Sequence, residues 1–340
     1  MTLEDFLYEW NSDGQYVSVH TSGSTGQPKS MLVEKSRMLA SARITCDFLG
    51  LKPGNSALLC MSLDFIAGKM MVVRSIERRL KLISVTPSNH PLAGIDPPID
   101  FAAMVPSQVF GSLQVPAERE KLRKIRHLII GGGAVPQDVE SQLCSFPNAV
   151  WSTYGMTETL SHIALRRISG KDASQWYSPF SGVELSLSNC QDNIGQLVIS
   201  APHVCQEKLI TNDIVEIRQD NTDKQFRIIG RTDNVICSGG IKLHIEEIEE
   251  QLRPHLPMPF CISKKEDEKF GEVAVLLIEH QSSAASECKE PILDICRKTL
   301  PTYSVPKEII CVGQIPLTGT GKIDRATAQN LAKKHKRILL

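Results

Sequence analysis

Apolar positions in the first half of the chain follow two repeats. Leu3, Phe6, Leu7 and Trp10 share one face of a helix at the start, because residues three and four apart line up on an α-helix. Beyond residue 16, helical spacing alternates with short continuous apolar runs. Helices are predicted at 34–49 and 66–79, and strands at 16–20, 57–61, 81–85, 126–130 and 149–152. This alternation predicts a mainly parallel sheet covered by helices.

The pattern changes after residue 180, where short strands follow one another with turns between them. These strands are predicted at 183–187, 196–199, 214–217 and 226–229, and they indicate an antiparallel layer. Beyond Gly230 the alternation returns, with helices predicted at 245–252 and 290–299 and a strand at 272–279. We therefore expect an α/β protein with a large domain over residues 1–230 and a small α+β domain over 231–340.

The composition is typical of a globular enzyme or binding protein. The 340 residues include 38 basic and 38 acidic side chains, and 41% of the residues are apolar. A balanced charge argues against nucleic acid or a membrane surface as the partner. No apolar run reaches the length of about 18 residues that a membrane span needs, and the start lacks the features of a secretory signal. We therefore expect a cytoplasmic protein.

The ten cysteines are scattered along the chain, at positions 46, 60, 144, 190, 205, 237, 261, 288, 296 and 311. They form no C-x-x-C pair and no cluster with histidine, so the sequence predicts neither a zinc site nor a disulfide framework. We expect most of them to be reduced and buried, as small apolar side chains.

Small and polar residues follow the first predicted strand, in the order Thr21-Ser22-Gly23-Ser24-Thr25-Gly26-Gln27-Pro28-Lys29. This segment is not a Walker A loop, because Lys29 follows Gln27-Pro28 and not a glycine. Backbone N–H groups, hydroxyls and one lysine are nevertheless suited to wrapping the β- and γ-phosphates of a nucleotide. By itself the segment fits a plain surface loop equally well.

Five segments in a fixed order resemble the motifs of the adenylate-forming enzymes, which include acyl-CoA synthetases, luciferases and peptide-synthetase adenylation domains. The first is the loop from Thr21 to Lys29. The others are Tyr154-Gly155-Met156-Thr157-Glu158, Thr211-Asn212-Asp213, Gly230-Arg231-Thr232-Asp233 with Ser238-Gly239-Gly240, and Leu317 to Arg325 around Lys322. The resemblance implies an AMP-binding core domain, shortened at its N-terminus, followed by a small mobile C-terminal lid.

The resemblance also implies roles for single residues, with ATP, Mg²⁺ and CoA as cofactors. The phosphates of ATP would be held by Thr21, Ser22, Gly23, Ser24, Thr25, Gly26 and Lys29, its adenine by Gly131, Gly132, Gly133 and Tyr154, and its ribose by Asp213 and Arg231. Thr157 would meet the α-phosphate, and Glu158 would hold Mg²⁺, which prefers oxygen ligands. The plain structural alternatives are a core hydrogen bond for Tyr154 and a turn cap for Asp213.

Two half-reactions follow from the same resemblance. Lys322 would stabilise charge while a substrate carboxylate attacks ATP to give an acyl adenylate. The lid would then rotate about a hinge at Asp233 and bring in the loop Ser238-Gly239-Gly240, whose glycines leave room for the pantetheine thiol. A solvated turn is the structural alternative for Lys322.

Some positions depart from the family pattern. Ser30, Asn212 and Ile245 stand where the family usually carries Gly, Gly and Pro, and none of these changes removes a functional group. Typical members also carry a longer segment before the phosphate loop. The amphipathic start at Leu3 to Trp10 favours a natural beginning over a random cut.

A narrower resemblance lies in residues 57–74, which are similar to the short o-succinylbenzoate–CoA ligases of menaquinone biosynthesis. It implies that Phe65 lies near the carboxylate that is activated. This substrate carries a second carboxylate on its ring, which needs a cation or several donors. Lys69 and Arg74 are the candidates, because they are basic residues in an otherwise apolar helix. Exposure to solvent is the alternative for both.

The leading hypothesis is an ATP-dependent ligase that converts o-succinylbenzoate and CoA to o-succinylbenzoyl-CoA, AMP and pyrophosphate. Two other enzymes stay possible, because the motifs concern ATP and do not identify the acid. One is a ligase for another aromatic or fatty acid, and the other is an adenylation domain that serves a carrier protein. A non-catalytic nucleotide-binding remnant is the last alternative. Against this last alternative, the sequence keeps every motif side chain that the activity needs, which are Thr157, Glu158, Asp213, Arg231 and Lys322.

Overall fold

The computed structural model describes residues 1–20, 30–96, 98–220, 223–280, 289–318 and 322–334. The chain divides into two compact units. The first contains Met1–Ser186, Val198–Ile210 and Ile217–Arg227, and the second contains Leu187–Leu197, Thr211–Glu216 and Ile228–Leu340. The second unit thus takes in two short segments that precede residue 228. The boundary at 230 and the hinge at Asp233 stay predictions.

A short hairpin and a seven-stranded sheet lie wholly within the first unit. The hairpin pairs β1 (Tyr16–His20) with β2 (Ser30–Glu34). The sheet contains β3 (Ser56–Leu59), β4 (Lys81–Ser84), β5 (Phe101–Met104), β6 (His127–Ile130), β7 (Ala149–Gly155), β8 (His162–Arg167) and β9 (Ser178–Pro179). Its strand order is β4-β3-β5-β6-β7-β8-β9, and the first five strands in this order are parallel. The predicted mainly parallel sheet is confirmed.

Six helices accompany this sheet among the described residues of the first unit. They are α1 (Leu3–Asn11), α2 (Lys35–Phe48), α3 (Ile66–Arg78), α4 (Pro106–Gln114), α5 (Pro116–Lys124) and α6 (Gln137–Leu143). The α1 helix begins at a capping box in which the side chains of Thr2 and Asp5 each accept from the other's backbone N–H. It buries Phe6 and Trp10, as its spacing predicts. Side chains of α4, α5 and α6 form one core with β6.

A four-stranded sheet carries the predicted antiparallel layer. It contains β10 (Glu184–Gln191), β11 (Ile194–Ser200), β12 (Leu209–Asp220) and β13 (Asp223–Arg231), in that order. Two residues join β10 to β11, and only antiparallel neighbours permit so short a connection. The α/β class with an added antiparallel layer is therefore confirmed.

From Val235 onward, the second unit is an α+β structure. Its strands are β14 (Val235–Ser238), β15 (Ile241–His244), β16 (Phe260–Asp267), β17 (Gly271–Glu279) and β18 (Glu308–Val312), and its helices are α7 (Ile245–Leu252), α8 (Lys289–Thr299) and α9 (Arg325–Lys334). The strand order is β15-β14-β17-β16, and β18 pairs with β17 in parallel. The helix predicted at 245–252 has the bounds observed for α7.

Nine of the ten cysteines lie in the described residues, and all nine are free thiols. Only Cys46, Cys60, Cys261 and Cys296 are buried. The expectation that most cysteines are buried is therefore wrong, because several lie in turns and at strand edges that solvent reaches. No described helix combines the length and the apolar character needed to cross a membrane.

Candidate active site

The predicted phosphate loop lies outside the described residues. This applies to Thr21, Ser22, Gly23, Ser24, Thr25, Gly26 and Lys29. The two strands that flank it are described, and they pair from Tyr16–Glu34 to His20–Ser30. The role of the loop as a phosphate site stays a prediction.

The predicted adenine segment Gly131–Gly133 follows β6 directly. Ile130 pairs with Ser152 of β7, so the carboxyl ends of both strands lie side by side. A side chain at residue 131 would overlap the Thr153 hydroxyl, and Gly132 has a φ of +83° that favours glycine. Gly131 is therefore favoured by the nearby Thr153 side chain and Gly132 by its backbone conformation. The carboxyl edge of a parallel sheet is also where ligands usually bind in this class of fold.

Tyr154 lies near the end of β7 within an aromatic cluster. Its ring is 4.9 Å from that of Phe226 at an interplanar angle of 78°, and 6.0 Å from that of Tyr177. Only 7% of Tyr154 is exposed. These contacts give Tyr154 a role in the core, and its contact with adenine stays a prediction.

Thr157 and Glu158 lie on a single 3₁₀ turn (Thr157–Thr159) between β7 and β8. The Met156 N–H donates to the Thr159 hydroxyl at 3.0 Å and ties the turn to its own base. Leu160, which is buried, has a φ of +64°, a conformation that is costly for a residue with a Cβ. Thr159 is buried beneath the turn while Glu158 is exposed, so the Glu158 carboxylate is accessible to a ligand.

Arg74 of α3 reaches the same loop. Its guanidinium is 2% exposed and donates to the Ser161 hydroxyl at 2.5 Å. Ser161 immediately precedes His162, which pairs with Gly155 at the end of β7. Burial lowers the pKa of the Arg74 guanidinium to about 10, so the side chain stays charged at neutral pH. The alternative that Arg74 points to solvent is wrong.

Lys69, on the same helix, is also buried but has a different partner. Its ammonium donates to the Ser18 carbonyl of β1 and lies 5.7 Å from the centre of the Phe6 ring. Burial lowers the pKa of Lys69 from its ordinary value. Phe65 is the residue just before α3. Lys69 thus helps to hold the hairpin and α1, and the substrate roles of Phe65 and Lys69 stay predictions.

Sequence reasoning missed three polar side chains that the fold brings to Arg74. These are Thr45, Ser161 and His162. A signal was present, since Ser161 and His162 follow the Glu158 motif directly and precede the apolar run Ile163-Ala164-Leu165. His162 also lines a small, mostly apolar pocket that opens to solvent, with Ile44, Phe180 and His203 among its walls.

In the second unit, Arg231 links two predicted site residues. Its guanidinium donates to Asp213 at 3.0 Å and to Asp233 through two hydrogen bonds of 2.9 Å. Burial opposes ionisation of Asp233, but the Arg231 charge outweighs it and holds the pKa of the Asp233 carboxyl below its ordinary value. Asp233 is therefore a carboxylate at neutral pH, and the same guanidinium orients both Asp213 and Asp233.

Lys322 lies in the same electrostatic environment. The Lys322 carbonyl accepts from the Thr318 N–H at 2.7 Å, and the Lys322 N–H donates to the Thr318 hydroxyl at 3.2 Å. Burial, and secondarily the Arg231 charge, lowers the pKa of the Lys322 ammonium, while Asp213 acts in the opposite sense. A merely solvated turn lysine would not be half-buried in this way.

The predicted pantetheine loop is a two-residue hairpin turn. Ser238 pairs with Ile241, and Gly239 and Gly240 between them have φ values of +57° and +85°. Positive φ at both positions defines the type I′ turn, which glycine adopts without strain. The Gly239 N–H donates to the Phe270 carbonyl at 2.7 Å. The glycines are thus explained by turn geometry, and their contact with CoA stays a prediction.

Comparison with known families gives two matches in this chain. Residues 9–207 match the profile of the family described as AMP-binding enzyme. Residues 246–322 match the profile described as AMP-binding enzyme C-terminal domain. The two profiles together contain the described loop at 154–158, the glycines at 131–133 and Lys322.

Individual relatives agree with these profiles. A 2-succinylbenzoate–CoA ligase of Bacillus cytotoxicus is 24% identical over 345 residues, which cover 93% of this chain and 70% of that protein. The crystal structure of an acyl-CoA synthetase (AMP-forming)/AMP-acid ligase II-like protein from Dyadobacter fermentans is 35% identical, with a TM-score of 0.62 and coverage of 96% and 93%.

A third comparison supports the fold alone. The o-succinylbenzoate coenzyme A synthetase of Bacillus subtilis, solved in complex with ATP and magnesium ion, has a TM-score of 0.72 at 21% identity. The match covers 91% of this chain and 68% of that one.

Proposed function

The chain belongs to the AMP-binding enzyme family, and on this basis we propose that it is an AMP-forming acid–thiol ligase that acts on o-succinylbenzoate. A substrate carboxylate oxygen attacks the α-phosphorus of ATP, and the bond to the β-phosphate oxygen breaks to release pyrophosphate. The CoA thiol then attacks the acyl carbon, the bond to AMP breaks, and the thiol proton leaves to solvent.

Residues of the first unit bind the nucleotide in this proposal. Tyr154 and Gly131 to Gly133 border the adenine at the carboxyl edge of β6 and β7, and Thr157 donates to the α-phosphate. The loop from Thr21 to Lys29 holds the outer phosphates. A fixed turn supports this assignment, because the hydrogen bond from the Met156 N–H to the Thr159 hydroxyl spans Glu158 and the buried Leu160 follows it.

Mg²⁺ fits the residues present. The described residues contain no cluster of three or more His, Cys, Asp or Glu side chains suited to hold a metal by themselves. One exposed carboxylate such as Glu158 is nevertheless sufficient, because Mg²⁺ is commonly held by one or two carboxylates together with substrate phosphates. When bound, the ion offsets the charge of the leaving pyrophosphate. Glu158 is the residue that would hold it.

Residues of the second unit act on the ribose and on the reacting bond. Asp213 accepts hydrogen bonds from the ribose hydroxyls, and Arg231 orients Asp213. The Lys322 ammonium stabilises the charge that develops during adenylation. Residues 231–340 then rotate as a lid about Asp233, and the Gly239–Gly240 turn admits the pantetheine arm.

The single observation that carries the substrate assignment is the buried Arg74. A charged guanidinium at 2% exposure is costly unless an anion accompanies it. In the described part of the chain no carboxylate forms an ion pair with Arg74, and its Nε has no hydrogen-bond partner. An acid with a second carboxylate supplies the missing charge. We therefore assign Arg74 to the ring carboxylate of o-succinylbenzoate.

The test is the formation of AMP and thioester from o-succinylbenzoate, ATP, Mg²⁺ and CoA. Benzoate and a medium-chain fatty acid are run beside it as acids with one carboxylate. Turnover with o-succinylbenzoate alone is the expected result. Turnover with a monocarboxylic acid would show that the substrate assignment is wrong and that the ligase chemistry is right. If no acid gives AMP, the result would contradict the proposal and favour a nucleotide-binding remnant.

A further inference from the structure

Four polar side chains from three elements and a connecting loop form one buried hydrogen-bonded chain. Arg74 donates to Ser161 at 2.5 Å, Ser161 meets His162 Nδ1 at 3.1 Å, and His162 Nε2 meets the Thr45 hydroxyl at 3.1 Å. His162 is 8% exposed and Thr45 is fully buried. A buried polar chain of this kind is costly unless every donor faces an acceptor.

The direction of each hydrogen bond follows from the Thr45 end. The Thr45 hydroxyl has one proton and donates it to the Ser41 carbonyl at 3.1 Å, because a carbonyl oxygen accepts only. Thr45 Oγ1 must therefore accept from His162, which places a proton on His162 Nε2. In a neutral imidazole the other nitrogen, Nδ1, is then an acceptor.

The directions of the hydrogen bonds at Ser161 and Arg74 follow from the protonation of His162. Since His162 Nδ1 accepts, the Ser161 hydroxyl donates to it, and the Ser161 lone pairs are left to accept from Arg74. A charged His162 would turn Nδ1 into a second donor toward Ser161 and leave the Ser161 proton without an acceptor. Burial and the Arg74 charge favour the neutral form, because they lower the pKa of His162 well below its ordinary value.

We infer that His162 is a positioning residue for the second carboxylate of the substrate: it fixes the Ser161 hydroxyl as an acceptor, and Ser161 in turn holds the Arg74 guanidinium in place. This inference rests on the proposed function and adds the residue that enforces its substrate preference. His162 does not touch the acid; it determines which way Ser161 presents its proton.

The hydrogen-bonded chain from Arg74 to Thr45 also explains selectivity against acids with one carboxylate. Without a second anion the Arg74 charge stays buried and uncompensated. When the second carboxylate is present, the binding free energy gained from its ion pair with Arg74 depends on the orientation of the guanidinium. Side chains around a binding site act only within narrow limits of distance and angle. A Ser161 hydroxyl that is free to rotate would lose this control.

The two amide replacements of His162 separate its two nitrogens. In His162→Asn the side-chain oxygen can replace Nδ1 as the acceptor for Ser161, whereas in His162→Gln the amide reaches the position of Nε2 and Thr45. We expect His162→Gln to raise the KM for o-succinylbenzoate about tenfold or more, the effect of one hydrogen bond to a charged group. The KM for ATP should change by less than about twofold, and His162→Asn should recover most of the affinity.

His203→Asn is the matched control. His203 lines the same pocket but is exposed, so this variant should retain the wild-type KM for the dicarboxylate. Titration calorimetry with o-succinylbenzoate in the absence of ATP gives a second readout that is independent of turnover. Thermal unfolding of each variant identifies any that fail to fold, and Thr45→Val provides a further variant that breaks the chain at its far end.

The outcomes distinguish this inference from the function on which it rests. An active wild type with equal KM values for o-succinylbenzoate in wild type and His162→Gln would overturn the role of His162 and leave the ligase intact. An equal loss in the Asn and Gln variants would also overturn it, because Nδ1 would then not be the nitrogen that matters. A wild type without AMP formation from any acid would overturn both.

Discussion

Arg231 binds Asp233 through two hydrogen bonds of 2.9 Å and uses its remaining nitrogen to hold Asp213 at 3.0 Å. One planar guanidinium thus orients the carboxylate assigned to the ribose and the carboxylate assigned to the hinge. Lysine carries the same charge but has no rigid fork with which to hold two carboxylates in fixed directions.

Replacing Arg231 with lysine should therefore impair adenylation despite the conserved charge. We expect Arg231→Lys to lower kcat/KM for ATP about tenfold, the effect of one or two charge-assisted hydrogen bonds. Pyrophosphate release measures this step. Arg297→Lys is the control, because Arg297 pairs with Asp294 at an exposed position on α8. Equal effects in the two variants would contradict the special role of Arg231.

Removing the Lys322 ammonium should separate the half-reactions. We expect Lys322→Met to reduce pyrophosphate release from ATP and acid by at least about a hundredfold, because a charge aimed at the transition state is lost. Transfer of the acyl group from a supplied acyl adenylate to CoA should continue. Lys333→Met, at an exposed position of α9, is the control. A similar loss in both half-reactions would show that Lys322 does not act in adenylation alone.

Adenylation should also respond to alkaline pH through Lys322. Burial lowers the pKa of this ammonium below its ordinary value of 10.5, so the proton is lost earlier than from a free lysine as pH rises. The rate of adenylation should therefore decline before pH 10.5 is reached. A pH profile of pyrophosphate release in wild type and Lys322→Arg tests this, since arginine keeps its charge throughout.

The two buried cations of α3 should differ in what their removal changes. Lys69→Met removes a donor from the Ser18 carbonyl, and we expect a loss of about 1–2 kcal/mol in the free energy of unfolding. Arg74→Met should instead raise the KM for o-succinylbenzoate more than Lys69→Met does. Denaturant unfolding and steady-state kinetics on the same two variants provide the comparison. A larger KM effect from Lys69→Met would indicate that Lys69, and not Arg74, binds the ring carboxylate.

His162 should make the first unit less stable in acid. The pKa of His162 is well below 6.5 in the folded protein, so below pH 6.5 the unfolded chain binds a proton that the folded chain does not. Stability is then lost as pH falls, by up to about 1.4 kcal/mol per pH unit, until the folded-state pKa is reached. The difference in unfolding free energy between wild type and His162→Asn should shrink below pH 6.5 and stay constant above pH 7.5 or so. Parallel curves throughout would contradict this.

Alanine in the Gly239–Gly240 turn should disturb the second unit locally. Gly239 has a φ of +57°, and an added Cβ would meet the Phe270 ring at 3.3 Å. We expect Gly239→Ala to cost about 1–2 kcal/mol of stability, the cost of a left-handed conformation for a residue with a Cβ. Thioester formation should slow more than adenylation. Gly313→Ala is the control, because open space surrounds that glycine.

Much of the fold was predictable because its signals are local. The bounds of α1 and α7 follow from spacing that places apolar residues on one helical face. The parallel sheet follows from strands that alternate with helices, and the Gly239–Gly240 turn from two residues that tolerate positive φ. The motifs around Glu158, Asp213 and Lys322 were likewise recognisable, because each is short and their order along the chain is preserved. The roles of these three side chains stay predictions.

The environment of the two cations of α3 was not predictable from local pattern. Every residue from Gly68 to Ser75 is buried, so this helix carries no polar stripe that would mark one face as exposed. Lys69 finds its acceptor 51 residues away in Ser18, and Arg74 finds Ser161 at a separation of 87 residues. The sequence by itself determined many of the elements, the motifs and the family. Only the tertiary structure decided which cation is tied to the hairpin and which is aimed at the Ser161–His162 pair, because burial of a charge depends on acceptors supplied by distant segments.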